Sequence, residues 1–372
     1  MHVTVATMPH RALVERSRSL DHVSSAQTLP PQSRPAGRFR GALRRIRQNG
    51  FTPHEYRMVC WAALVSLIAI VVTGAAVRLT GSGLGCDDWP NCNNERLVDV
   101  SSRHAAIEQV NRLFTFLVGL AVVVAALGAW WRRPRRRDLL WLSVAMVVGI
   151  PAQGLVGAFV VWTDLHPAAV QLHFVLSMVL VSLSVVLLVR SGQPDDGRRI
   201  AAVAPRIRRR VRIAALWTAL AIVAGTVVTG SGPHAGDDAA RRFGSASIAD
   251  ISGHWLKWVT RIHSSIVWIA VAMVVALLWQ LRNRSHDRAV LDLPITVWVS
   301  VALLQGGVGY VQYFSGLPAA LVVAHVALAS TLWAVTTWMV CSTTRISRSA
   351  RAMIDNAADR ASDGRAVVQS ED

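Results

Sequence analysis

The sequence predicts an all-α polytopic membrane protein whose eight transmembrane helices form two tandem, pseudo-symmetric four-helix bundles. Three observations support this fold class. Of the 372 residues, 52% are hydrophobic and 16% are charged. Several apolar runs reach the roughly 20 residues that span the hydrocarbon core of a bilayer. Related segments also recur about 152 residues apart. A soluble chain of this length would carry more charge and would lack such runs.

The apolar runs lie between two polar tails. The predicted spans are 58–79, 105–130, 139–161, 169–190, 212–230, 259–281, 290–314 and 319–341. The start of the chain is rich in Arg, Ser, Pro and Gln and has no apolar segment typical of a signal peptide. The predicted organisation is a disordered basic cytoplasmic tail (1–50), an N-terminal half (58–190), a basic cytoplasmic linker (191–211), a C-terminal half (212–341) and a polar cytoplasmic tail (342–372).

The net charge of +17 lies in short arginine blocks between the apolar runs and in the tails. This placement is typical of topology signals and lipid headgroup contacts, and it argues against nucleic acid as a partner. The connections after the second, fourth and sixth spans are rich in arginine, whereas 162–168 and 315–318 contain no Lys or Arg. The positive-inside rule therefore predicts a cell-membrane protein with both termini in the cytoplasm and the long loops 80–104 and 231–258 outside.

An internal repeat relates the two halves. The stretch QGLVGAFVVWTDLHPAAVQLHF (153–174) matches QGGVGYVQYFSGLPAALVVAHV (305–326) at an offset of 152, which pairs His173 with His325. A second match, at an offset of 149, links VRLTGSGLG (77–85) with TVVTGSGPHAG (226–236). Parallel repeats place equivalent sites at equivalent depths in the membrane.

The offset of 152 also maps Asn111 onto His263, so Asn111, His173, His263 and His325 form two pairs of equivalent positions. All four lie near the outer ends of even-numbered spans, within roughly 12 Å of the helix start. Two imidazoles at one depth in a bundle favour axial ligation of a haem iron. The alternative is that each histidine hydrogen-bonds a neighbouring helix.

The two pairs differ in a way that predicts a division of labour. His263 and His325 form a complete pair, as expected of an electron-transferring haem. Asn111 is a poor iron ligand, so the first half would hold a haem through His173 with an open position, as reactive haem sites do.

Glu108 lies three residues before Asn111 on the same helix face, and its counterpart in the second half is Thr260. We interpret Glu108 as the catalytic carboxylate, which would move protons or stabilise a cationic intermediate. The alternative is favourable placement of an acid against the helix dipole.

Cys86 and Cys92 lie in a loop predicted to be outside, where an oxidising compartment favours a disulfide. The sequence leaves open whether this bond is a static brace or is redox-active.

Five stretches together resemble the haem A synthase family of cytochrome oxidase assembly factors. They are VVTGAAVRLTGSGLGCDDWPNC (71–92), IEQVNR (107–112), QGLVGAFVVWTDLHPAAVQLHF (153–174), GTVVTGSGPHAG (225–236) and QGGVGY…HVALAS (305–330). The resemblance covers about residues 58 to 341. It implies an enzyme that oxidises a methyl group of haem O to a formyl by successive hydroxylations, giving haem A.

The resemblance also implies roles for individual residues. His263 and His325 would bind the iron of a cofactor haem b, His173 would bind the substrate haem O, and Glu108 matches the family's essential carboxylate. Cys86 and Cys92 match its extracytoplasmic cysteine pair. The chain departs from the family at Asn111, where many members have His. Either His173 alone would bind the iron of the substrate haem, or another group such as His104 or a water would complete the site.

Haem O, membrane lipid, haem O synthase and cytochrome oxidase subunits are the partners that the resemblance suggests. Arg78, Arg103 and Arg112 are candidates for the haem propionates by position, and lipid headgroups are their alternative partners. Neither the oligomeric state nor the electron acceptor follows from the sequence.

Two other functions compete with this interpretation. A membrane di-haem b-type cytochrome that relays electrons from quinol would share the bundle and the histidines. It gives no reason for Glu108 in one half alone or for Asn111. A transporter with repeated halves would favour helices broken by Gly or Pro at mid-membrane, whereas most Gly and Pro here lie near span ends or in loops.

Overall fold

The computed structural model describes residues 45, 48, 50–86, 88–237, 240–244 and 253–347. The predicted tails, 1–50 and 342–372, therefore lie mostly outside the described residues. The described part contains eight long helices: α1 (Pro53–Leu79), α2 (Arg103–Trp131), α3 (Arg137–Trp162), α4 (Pro167–Ser191), α5 (Pro205–Ser231), α6 (Gly253–Leu281), α7 (Ser285–Phe314) and α8 (Ala319–Ser342). Each is long and apolar enough to cross a membrane. The prediction of an all-α polytopic membrane protein is confirmed.

The helices are longer than the predicted spans, mostly at their polar ends. Helix α1 begins at Pro53 because Thr52 and Glu55 form a capping box. The Thr52 backbone N–H donates to Glu55 Oε2 at 3.0 Å, and the Glu55 N–H donates to Thr52 Oγ1 at 3.3 Å. Helix α5 begins at Pro205, seven residues before the predicted span, and its first turns contain arginines. Arginine is a good helix former, so hydropathy marks the membrane boundary rather than the helix boundary.

Each half is a closed ring of four helices. In the first half α1 packs against α2 and α4, and α3 packs against the same two neighbours. The second half repeats this arrangement with α5, α6, α7 and α8. The halves meet where α8 packs against α1 and α4 and where α4 packs against α5. Because α4 and α8 are equivalent helices, as are α1 and α5, the contacts across the interface follow the internal repeat.

Each ring has its own apolar core, and large apolar side chains also cover the outer surface. Leu139, Met146 and Leu187 are fully buried in the first half, and Leu277, Leu291 and Ile295 in the second. Trp141, Trp279 and Leu293 are more than 60% exposed and do not line the cavity between the helices. An apolar exterior of this extent is expected where lipid, and not water, surrounds the protein.

The arginine-rich end of the bundle is held by buried ion pairs. Arg132 Nη2 lies 2.6 Å from Asp195 Oδ1, and Arg136 Nη2 lies 2.9 Å from Asp138 Oδ2. These arginines, interpreted above as topology signals, therefore also fix the α2–α3 connection to the end of α4.

The same end carries a small sheet that the sequence analysis did not predict. Strand β1 (Arg198–Ala201) pairs antiparallel with β2 (Thr344–Ser347), with Arg198 opposite Ser347. The linker between the halves is thereby joined to the segment that follows α8.

Candidate functional site

A cavity of about 2020 Å³ lies inside the described helices and is lined by residues of both halves. Pockets for a single small molecule are typically about 300–1,000 Å³, so this cavity has room for more than one large ligand. Its lining is mostly apolar. The polar lining residues that bear on function are Arg78, Glu108, Asn111, Arg112, Gln153, His173, Lys257, Thr260, Arg261, His263, Gln305 and His325. Asn111, the three predicted histidine ligands and the predicted carboxylate Glu108 thus all line one cavity.

The four equivalent positions lie at similar depths. His173 and His325 each lie six residues into their helices, Asn111 lies eight residues into α2, and His263 lies ten residues into α6. At 1.5 Å per residue these depths are roughly 9 to 15 Å. His263 is deeper in its helix than predicted because α6 begins at Gly253 and not at residue 259.

His263 has the hydrogen bond expected of a ligating imidazole. Its Nδ1 lies 2.9 Å from the carbonyl oxygen of Ala221. A carbonyl can only accept, so Nδ1 carries the proton and Nε2 has a free lone pair. Metal-ligating histidines are usually fixed in this way by their other ring nitrogen. Gly225 leaves room for the ring, since a Cβ there would lie 3.1 Å from His263 Cε1.

His325 has the same tautomer for a different reason. Its Nε2 lies 3.0 Å from Gln305 Nε2, which can only donate, so the imidazole Nε2 accepts and the proton lies on Nδ1. That Nδ1 is buried and bonds to no residue that the structure describes. A metal at His325 Nε2 would take the place of the Gln305 amide.

His173 differs from His325 in its contact with glutamine. The Gln153 amide, equivalent to that of Gln305, donates to Ser177 Oγ and to the His173 carbonyl oxygen at 3.2 Å. The second half has Ala329 in place of Ser177, so only there does the glutamine reach the imidazole. The His173 ring makes no hydrogen bond within the described part of the chain, and its Nδ1 is buried.

Asn111 brings a short amide to the cavity wall. Its Oδ1 is buried and has no hydrogen-bond partner among the residues described. His104, the side chain considered above as a substitute ligand, does not line the cavity. Its Nδ1 instead lies 2.9 Å from Ser82 Oγ. The structure therefore does not support His104 as the group that completes the first-half site.

Glu108 is 6% exposed, and both of its carboxylate oxygens have partners. Oε1 accepts from Arg112 Nη2 at 2.7 Å and from Arg112 Nε at 3.1 Å. Oε2 accepts from the backbone N–H of Cys86 at 2.9 Å. These contacts, and a position beyond the first turn of α2, do not fit the interpretation that Glu108 only complements the helix dipole.

Arg112 joins the carboxylate to the cysteine loop. Its guanidinium donates to the carbonyl oxygens of Cys86, Asp88 and Asn91 at 3.0 to 3.4 Å. Cys86 and Cys92 are disulfide-bonded, as predicted. The connection from this disulfide to Glu108 was not predicted from the sequence. The spacing of four residues between Glu108 and Arg112 was the available signal for the ion pair.

Comparison with known proteins agrees with the geometry. The family model described as "Cytochrome oxidase assembly protein" (COX15-CtaA) matches residues 57–336. A "Heme A synthase" of Bacillus mycoides (strain KBAB4) is 26% identical over 306 residues, which cover 79% of this chain and 96% of that protein.

Two further relatives are also named "Heme A synthase". The protein of Listeria monocytogenes serotype 4a (strain HCC23) is 26% identical over 294 residues, or 74% of this chain and 91% of that protein. The protein of Alkalihalophilus pseudofirmus is 34% identical over 146 residues, or 39% of this chain and 48% of that protein.

Proposed function

We propose, from the premise that this chain belongs to the cytochrome oxidase assembly protein family, that it oxidises a porphyrin methyl group of haem O to a formyl and so produces haem A. Its relatives are named as synthases, and the chain is an enzyme. The observation that carries the proposal is one cavity with two related but unequal sites. One site has the pair His263 and His325, and the other has His173, Asn111 and the only acidic side chain that lines the cavity within the described residues, Glu108.

The residues present fit a haem in each half. All three imidazoles line an apolar cavity, and within the described part of the chain neither His263 Nε2 nor His173 Nε2 makes a hydrogen bond. A glycine of a neighbouring helix lies against each ring, at Gly157, Gly225 and Gly309. We assign His263 and His325 to a cofactor haem b and His173 to the substrate haem. When bound, the haem iron would supply the redox chemistry.

Glu108 would take the protons that leave as the methyl group is oxidised. The Arg112 guanidinium and the Cys86 N–H hold its carboxylate in one orientation at the cavity wall. Thr260, at the equivalent position in the second half, donates to the Leu256 carbonyl oxygen at 2.7 Å and offers no comparable base. Methyl oxidation is therefore assigned to the first half and electron transfer to the second.

The arrangement also favours one-histidine binding of the substrate. Asn111 stands where the second half has His263, and an amide is a poor ligand for iron. His173 would be the one imidazole that holds the substrate haem, whereas His263 and His325 would both hold the cofactor haem.

The site lies at the membrane end opposite the arginine-rich connections. By the positive-inside rule, both termini would be cytoplasmic and the cavity would lie near the outer face of the cell membrane. Haem O, being largely apolar, would reach the cavity from the bilayer.

A host that makes haem O but no haem A tests this function. Haem extracted from its membranes should contain haem A when the wild-type chain is expressed, and none when Glu108→Gln replaces it. The exposed Glu95→Gln serves as the matched control and should behave like the wild type. If the purified protein carried haem while haem A never appeared, the relay cytochrome would be favoured. If the purified protein carried no haem at all, the proposal would fail altogether.

A further inference from the structure

Arg78 lies in the last turn of α1, where three outer connections of the bundle meet. Its Nε donates to the carbonyl oxygen of His234 at 3.0 Å. A Cβ built on Gly236 would lie 3.5 Å from Arg78 Cγ and 2.8 Å from Leu165 Cδ1, so the α5–α6 connection packs closely over the arginine stem. Arg78 also lines the cavity.

The charge of Arg78 is not neutralised by the described protein. Among the residues that the structure describes, its two terminal nitrogens make no hydrogen bond and no carboxylate lies within ion-pair distance of them. A cation in an apolar cavity is unfavourable unless an anion binds to it. The guanidinium is therefore available for an anionic group of the ligand.

The other two candidate arginines of the first half are less suited to bind an anionic group of the ligand. Arg112 is engaged by Glu108 and by carbonyl oxygens of the cysteine loop. Arg103 is exposed and does not line the cavity. Of the three candidates, only Arg78 combines a cavity position with unused donors.

The repeat shows that each half supplies its own cations. At the offset of 149, Arg78 corresponds to Val227. In the second half Lys257 and Arg261 line the cavity from α6, at positions where the first half has Ala105 and Gln109. Two ligands with carboxylates at their outer edges would meet a separate positive group in each half.

We propose that Arg78 binds a carboxylate of the ligand in the first half, and that it thereby orients this apolar, anionic molecule with its acid edge towards the outer loops. That the molecule is a porphyrin rests on the proposed function. The carboxylate requirement rests on Arg78 itself. A guanidinium suits this role because it can donate two parallel hydrogen bonds to one carboxylate.

Two porphyrins that differ only in charge test the proposal. The full chain, purified in detergent with its bound haem, is titrated with ferric protoporphyrin IX and with its dimethyl ester, and binding is followed by absorbance. The wild type should prefer the free acid. Arg78→Gln should weaken binding of the acid by about 10- to 100-fold and leave binding of the ester within a few-fold. Arg103→Gln, the matched control, should change neither.

Arg78→Lys is the control for a folding defect. Lysine keeps the positive charge, so this variant should retain most of the preference for the free acid. Equal weakening of acid and ester by Arg78→Gln, or no change in either, would overturn the assignment of Arg78. A wild type that bound neither porphyrin would instead overturn the proposed function, and the inference with it.

Discussion

Replacing Gly309 with alanine should disturb the second-half site directly. The added Cβ would lie 3.0 Å from His325 Cε1, closer than ordinary contact, and 3.5 Å from its Nδ1. The imidazole would have to move by a few tenths of an ångström. Overpacking of this kind typically costs about 1–3 kcal/mol. If that energy comes from haem ligation, affinity for the cofactor should fall by about 5- to 150-fold.

The repeat provides a matched control for this substitution. In Gly157→Ala the new Cβ would lie 3.4 Å from His173 Cε1, an ordinary contact. Both glycines lie inside helices, so both variants gain the same helix propensity, about 1 kcal/mol. The difference in behaviour between the two variants therefore reports the steric effect of the added Cβ on the imidazole.

The assay is the haem content per protein and the reduced-minus-oxidised absorption spectrum of each purified variant. Gly309→Ala should lose cofactor haem or shift its absorption bands, whereas Gly157→Ala should keep the cofactor spectrum of the wild type. A Gly309→Ala protein with full haem content and an unchanged spectrum would refute the reasoning that His325 is an axial ligand packed against this glycine.

Three further predictions concern the first half. Asn111→His places an imidazole at the position equivalent to His263. We expect a second low-spin haem signal in electron paramagnetic resonance and slower formation of haem A. An unchanged signal would contradict a haem site at this position in the first half. Arg112→Gln removes the ion pair of Glu108 and the carbonyl contacts of a partly exposed guanidinium, and should lower the stability by about 1–3 kcal/mol. Thermal unfolding measures this loss of stability, and Arg112→Lys should recover part of it. An unchanged melting temperature of Arg112→Gln would contradict the prediction. Cys92→Ser opens a short disulfide loop and should cost about 2 kcal/mol. A thiol reductant should lower the melting temperature of the wild type but not of this variant.

The membrane fold was predictable because lipid imposes a simple constraint on sequence. Every span must satisfy its own backbone hydrogen bonds and present apolar side chains, so the eight helices could be recognised from composition alone. The offset of 152 alone pairs Asn111 with His263 and His173 with His325 on equivalent helices.

Contacts that depend on loop conformation were not predictable. Nothing in the spacing of Glu108 and Cys86 indicates that a backbone N–H of the loop lies 2.9 Å from the carboxylate. The pairing of β1 with β2 was missed because the two polar segments lie far apart in sequence and meet only when the halves pack.

The different contacts of Gln153 and Gln305 were predictable only in part. The repeat aligns the two glutamines, and it also aligns Ser177 with Ala329. Only the structure shows that the serine hydroxyl draws the first glutamine away from its histidine. At such small differences between the repeated halves we expect their proposed functions to diverge.

The central claim is that the second half holds a cofactor haem while the first half acts on a different one. Measuring the haem bound per protein in purified His263→Ala and His173→Ala variants tests it most directly. We predict that His263→Ala loses the low-spin cofactor haem and that His173→Ala keeps it but forms no haem A. The opposite pattern, with the cofactor haem lost from His173→Ala and kept in His263→Ala, would contradict the account.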